Sequence, residues 1–277
     1  MKSYVHKAVN STIFSVWVLF LCLIVAFPFM WLLITSFKTY PEIYAYPIKY
    51  LPHRVTFEHF YYVFKLNFLM YFKNSAIIGF GTSLLTLLIA TLPSYASVRY
   101  SFQGKKLFML SILFCQMFPQ IVFVIPFFIL LKSLHMLNYL GVILSYLPFT
   151  TPIAIWMIRN FFIDIPVELE EAARIDGCTP GMVFYRIALP LALPGIASVG
   201  IYAFFFAWCE LMFALSFLTS GRMQTVPVFL SLFVGQYQTR WGPLFAGSTI
   251  ASILPLIVFG YMQKFFIKGL TAGAVKG

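Results

Sequence analysis

Six long apolar stretches set the limits on what this chain can fold into. They cover residues 12–37, 71–97, 107–131, 139–159, 194–218 and 243–264, each near the roughly 20 residues that carry a helix across a bilayer. In hydrocarbon, backbone N–H and C=O groups must be paired within the protein, so the stretches predict transmembrane α-helices. Charged residues make up only 10% of the 277, against about 25% in a soluble domain. The expected fold class is an all-α integral membrane protein with six spans, which leaves no room for a soluble catalytic domain. The first stretch follows Lys2 and Lys7 and runs from Ile13 to Phe37. That exceeds the ~7–15 residues of a cleavable signal core, so a retained helix is expected, kinked near Pro28.

The net charge of +11 comes from Lys and Arg dispersed over short loops, without the basic, aromatic-laced cluster of a nucleic-acid binder. Cys22, Cys115, Cys178 and Cys209 lack metal-ligand spacing, and His6, His53, His59 and His135 are scattered. Neither a metal site nor a disulfide framework is expected. Arg99, Lys105 and Lys106 crowd one very short loop and favour placing it on the cytoplasmic side. Six spans then put both termini and segment 160–193 in the cytoplasm. Segment 38–70, rich in Tyr, Pro and Phe, reads as an external loop near the interface. A plain connector and a partner contact are both open for it.

Of the 8 acidic residues, Asp164, Glu168, Glu170, Glu171 and Asp176 fall within one short segment. Pro166 and the acids suit a helix start, Glu170 and Arg174 are spaced as an i,i+4 pair, and Gly177 fits the left-handed stop. Thr179-Pro180 reads as the cap and first residue of a second helix, running through Phe184, Ile187 and Ala188 and ending before Pro190. A loop lying on the membrane surface would carry Lys and Arg toward anionic lipid. This acidic segment favours a protein partner, with Ala172-Ala173 allowing close approach and Phe184, Ile187 and Leu189 as apolar anchors.

The run ELEEAARIDG…IALPLALPG closely resembles the EAA loop of ABC-importer permeases. Glu171, Ala172, Ala173, Asp176, Gly177, Ile187, Leu189, Pro190, Pro194 and Gly195 match in place, and Cys178 stands where Ala is common. The stretch from Gln263 to Gly277, with SFKTYPEIY and FKNS, is similar to the MalG-like carbohydrate branch. The resemblance implies a type I ABC importer permease fold with a cytoplasmic coupling helix in a bacterial or archaeal cell membrane. Its organisation would be residues 1–69 (first helix and external loop), a five-helix core 70–264 with the EAA loop 164–195, and a cytoplasmic tail 265–277. The implied partners are a second, MalF-like permease, an ATPase dimer holding ATP and Mg, an external solute-binding protein and a sugar. ATPase contacts would fall on Glu171, Ala172, Ala173, Asp176, Gly177, Phe184, Ile187, Leu189 and Pro190, and on Gly273, Ala274, Val275, Lys276 and Gly277 of the tail.

The chain has no GxxxxGK[ST] phosphate loop, so ATP hydrolysis and its cofactors are expected on another subunit. Glu210 is the one acid placed inside a span. An intramembrane carboxylate suggests the substrate path, and a helix-packing or helix-end contact is open for it too. Asn74, Gln116, Gln120 and Thr151 are weaker path candidates. A membrane-embedded enzyme would need His, Asp or Ser gathered near one bilayer face, and the acids here cluster without them. The same architecture could instead carry glycerol phosphate, an amino acid or a peptide.

Overall fold

A computed structural model describes residues 2–274, with side chains for residues 14–263. Apart from one isolated bridge between Val234 and Thr239, regular structure among the described residues is helical. Two compact units are present. One takes residues up to Phe68 together with Leu230–Ser252, the other Leu69–Phe229 together with the residues from Ile253.

The first unit starts with α1 (Lys2–Ser36), which keeps Pro28 inside the helix. Trp17, Phe20 and Phe27 stand exposed along it, as lipid-facing side chains do. Beyond its end the chain turns on buried polar groups. Lys38 is 2% exposed; its Nζ donates to the Lys49 carbonyl at 2.7 Å and stands 4.2 Å over the Trp31 ring. In α2 (Tyr40–Ile43), Glu42 accepts from the backbone N–H of Thr39 (3.0 Å) and of His53 (2.9 Å). The Thr39 bond leads in holding this carboxyl down to about 2. In α3 (Glu58–Lys65) the buried residues are His59 and Val63. His59 Nε2 donates to the Lys38 carbonyl at 2.9 Å, and a Cβ on Gly242 would overlap its ring. Segment 38–70 is therefore a built substructure rather than a loose connector.

The second unit is organised on α7 (Tyr139–Ile163) and α10 (Leu189–Cys209). They approach so closely that a Cβ at Gly195 would fall on the Phe161 ring. The helix α4 (Phe68–Arg99) joins them through small hydroxyls: Thr86 meets Thr150 at 2.7 Å, Ser94 donates to the Ile155 carbonyl, and Ser83 donates to the Gly200 carbonyl. Small polar residues let membrane helices pack tightly and bond across the contact.

Among the described residues, five helices are long and apolar enough to cross a membrane alone. The expected third span, 107–131, is instead two pieces, α5 (Lys105–Cys115) and α6 (Val124–Ser133), the latter led by a 3₁₀ turn at Gln120–Phe123. They are bent by 91° about Pro119, which is extended (φ −61°, ψ 134°) and cannot continue the helical ladder. Counted as one span, the pair makes six.

The second half also departs from expectation. The connection 160–193 holds α8 (Val167–Ile175) and α9 (Pro180–Val183), and the second of these does not stop before Pro190. A π-helical turn, Phe184–Ala188, carries it straight into α10. The widened turn takes up the ring that would otherwise strike the carbonyl four residues back. The fifth span ends early, at Cys209, and α11 (Met212–Phe217) and α12 (Val226–Ser231) follow as short pieces. Last, α13 (Trp241–Ala274) runs on through most of the segment expected as a tail.

Candidate coupling site

Local chemistry shapes the knob at 164–190. Pro166, extended at φ −57° and ψ 133°, leads into α8, with Glu168 and Glu170 in the first turn where the helix dipole favours acids. The exit is a Schellman stop: the Cys178 N–H reaches the Ala173 carbonyl at 2.9 Å, and the Gly177 N–H reaches that of Arg174 at 3.0 Å. Gly177 takes φ +85°, a conformation that side chains with a Cβ resist. Thr179 then caps α9, its hydroxyl accepting from the Met182 N–H at 3.4 Å, with Pro180 at the first position.

One face of α8 is pinned to the end of α4. Glu170 is buried, and Arg99 Nε donates to its Oε1 at 2.6 Å while the Tyr95 hydroxyl donates to its Oε2 at 2.8 Å. Arg99 Nη2 also donates to the Ile165 carbonyl at 2.8 Å. The ion-paired side chains are 7% and 2% exposed. Sequence spacing offered Arg174 as the partner of Glu170. The fold uses both carboxylate oxygens on α4 and leaves Arg174 exposed.

The proposed contact residues divide by face. Glu171, Ala172, Asp176, Gly177 and Pro190 are exposed, while Ile187 and Leu189 are half-buried. Ala173 and Phe184 turn inward. Phe184 packs on Tyr95 (ring centroids 4.9 Å) and Phe162 (6.4 Å), so it anchors the knob to its own core rather than presenting itself to a partner. Exposed apolar side chains that the spacing argument passed over are Ile175 (87% exposed), Met182 and Tyr185. The signal was available: Ile175 lies beside the glycine stop, at the tip. Gly273 and Ala274 close α13, while Val275, Lys276 and Gly277 lie outside the described residues.

The path candidates do not gather at one place by any contact among them. Glu210 is not inside a helix. It is extended (φ −75°, ψ 127°) at the break after α10, and its carboxylate caps α11 by accepting from the Phe213 and Ala214 N–H groups at 2.9 and 3.2 Å. The buried Tyr146 hydroxyl donates to it at 2.7 Å, so its contacts serve a helix end. Asn74 donates to the Arg222 and Gln224 carbonyls and accepts from the Tyr139 hydroxyl, stitching α4 to α7 and to the loop before α12. Gln116 caps α5 and donates to the Phe149 carbonyl at 3.2 Å. Gln120 is half-buried at the start of the 3₁₀ turn. Thr151 has a buried Oγ1 without a hydrogen-bond partner.

Residues 83–271 match the family described as "Binding-protein-dependent transport system inner membrane component". The trehalose/maltose transport system permease protein MalG of Thermococcus litoralis is 35% identical over 283 residues, covering 100% of both chains. The diacetylchitobiose uptake system permease protein DasC of Streptomyces coelicolor is 36% identical over 262 residues, 94% of each. In fold, the chain is similar to a subunit of a bacterial ABC transporter involved in the import of alginate, with a TM-score of 0.74, 22% identity, and coverage of 94% of this chain and 97% of that one. A family match over more than half the residues and a relative aligned from end to end lead to one conclusion: the chain belongs to the family of binding-protein-dependent transport system inner membrane components.

Proposed function

We propose that the chain is one of two permease subunits of an ATP-driven importer, and that a di- or oligosaccharide is its cargo. The names of the relatives, trehalose/maltose and diacetylchitobiose permeases, support the cargo class. A MalF-like second permease, an ATPase dimer and an external solute-binding protein complete the assembly. ATP and Mg sit on the ATPase subunits, since this sequence has no phosphate loop of its own. Both termini and the knob face the cytoplasm, on the parity of six crossings and the positive loop at 99–106.

The observation that carries this reading is the two-faced knob. Its inward face is fastened to α4 by a buried ion pair, and its outward face offers Glu171, Ala172, Ile175, Asp176, Met182 and Tyr185. Apolar side chains ringed by carboxylates on a helix tip suit a groove in another protein. Closure of the ATPase dimer would push the tip, and the Arg99–Glu170 link would pass that displacement to a membrane helix as a rigid body, shifting the inward-open and outward-open populations. Glu210, Asn74, Gln116, Gln120 and Thr151 are retained as path candidates, Thr151 standing out by its unpartnered hydroxyl, and the tail residues Gly273–Gly277 as a second ATPase contact.

The test is Gly177→Leu in the complete importer. Nothing stands within 4 Å of a Cβ there, so the change acts through the left-handed turn rather than through a clash. Sugar uptake should fall at least about tenfold, with the subunit still in the membrane and ATP hydrolysis no longer responding to the loaded binding protein. Normal uptake with intact assembly would refute the docking assignment.

A further inference from the structure

The geometry points to a saccharide-binding subsite in the first unit, on the exposed side of α3. It rests on the sugar-importer reading above and adds a place where the sugar is held that is not among the path candidates. Glu58, Tyr61, Tyr62 and Lys65 fall at i, i+3, i+4 and i+7 of this short helix, so they share one side of it. His59 and Val63 take the buried side. A concavity of about 340 Å³ opens over the shared face, closed by Tyr40, Arg240 and Pro243 with His59 as part of its floor. That volume is within the range of small-ligand sites.

Its walls are held in place before any ligand arrives. Arg240 Nη1 donates to the Tyr62 hydroxyl at 3.0 Å, and the guanidinium lies 5.2 Å from that ring. Tyr40 packs edge-on against His59 at 5.1 Å and stacks on Tyr44 at 6.2 Å. Tyr44 is tied in turn to the Thr239 carbonyl at 2.6 Å. Tyr61 is left with 71% of its surface exposed, a large uncovered ring at the edge of a preformed hollow.

The chemistry of the lining selects among ligand classes. Tyr rings offer flat faces to the C–H side of a pyranose. Glu58 supplies a carboxylate that can only accept, while Lys65 and Arg240 can only donate. A sugar hydroxyl does both, so a polyhydroxylated ring can satisfy all three. A simple anion would meet the Glu58 carboxylate, and a wholly apolar ligand would leave charged groups without partners. Glu58 itself lies on the exposed rim, where its carboxylate is available to a ligand.

The experiment is saturation-transfer NMR on the full chain in lipid nanodiscs, with trehalose, maltose and N,N′-diacetylchitobiose as probes. Wild type should show transfer to at least one of them. Tyr61→Ala and Glu58→Gln should each weaken that binding about tenfold, the scale of one lost contact, while Tyr61→Trp retains it. Both positions are exposed, so the variants keep the fold. Absence of transfer to all three sugars, or transfer unchanged in both weakening variants, overturns the subsite. So does a result in which the variants loosen the external binding protein and leave the sugar signal intact, since the hollow would then be a protein contact. Uptake by cells deleted for this chain separates the two readings. If deletion abolishes sugar uptake and the α3 variants restore it with wild-type KM, the subsite falls and the permease reading stands. If deletion leaves uptake of every sugar unchanged, the permease reading itself falls.

Discussion

Removing the Arg99 side chain would strand the Glu170 carboxylate among buried groups. Breaking one half of such a pair costs about 3–5 kcal/mol, because the remaining charge has lost its compensation. Arg99→Ala should therefore lower the thermal stability of the nanodisc-embedded protein sharply. Replacing the buried cluster with apolar residues, as in Arg99→Met with Glu170→Leu and Tyr95→Phe, should recover much of that loss; a triple variant as unstable as the single one would contradict the account. Glu42 makes a different prediction, about acid. Its folded value of about 2 lies below the ordinary 4.5, so its bonds stabilise the fold fully above pH 4.5. That contribution is lost as the pH falls toward 2. Burial also pushes His59 below the ordinary 6.5, so protonation of this ring begins to cost stability at a higher pH. Protection of the Thr39 and His53 amides against hydrogen exchange, relative to the intrinsic rate at each pH, should fall below pH 4.5, and Glu42→Gln should flatten that limb of the profile.

At the scale of elements, α8 should separate folding from assembly. Ile175 is 87% exposed, and surface substitutions away from special features shift stability by no more than about 0.5 kcal/mol. Ile175→Asp should leave the melting temperature of the isolated chain unchanged yet weaken ATPase capture at least about tenfold, as read by co-purification. Equal capture would move the docking face elsewhere. How α8 begins and ends, and how α9 begins, was legible because caps are local: Gly177 and Thr179-Pro180 carry their conformational preferences within a few residues, whereas the expected stop before Pro190 was overridden by the π-helical turn. What α8 leans on was not. Its true partner is 71 residues away in sequence, while Arg174 stood in register four residues on and looked sufficient. Pro119 shows a second kind of blindness, since averaged hydropathy sees one apolar run where the backbone must bend. Glu210 is a different case, since a capping carboxylate resembles, in sequence, one that faces cargo; of the two readings left open for it, its contacts fit the helix end.

For the whole molecule, alternation of sides is the property most open to measurement. If α1 is the first of six crossings, α2 and α3 are expected on one face of the membrane. With four crossings before it, the knob is expected on the other. A variant retaining Cys178 as its single cysteine should react with a membrane-impermeant thiol reagent in inverted vesicles and not in right-side-out ones. A second variant, cysteine-free except for Glu58→Cys, should do the reverse. Labelling of both from one side would invalidate the six-crossing order, and with it the assignment of the bent α5–α6 pair as a single span.

The adjacent glutamates of the knob answer to different neighbours. Glu170 is committed to its own chain, whereas Glu171 stands free for another. A lineage that exchanged one ATPase for another would have to rewrite only the outward residues around Glu171 and Ile175. The inward pin, buried within the chain, would survive such an exchange, so a part that would transmit force could outlast the part that chooses who supplies it.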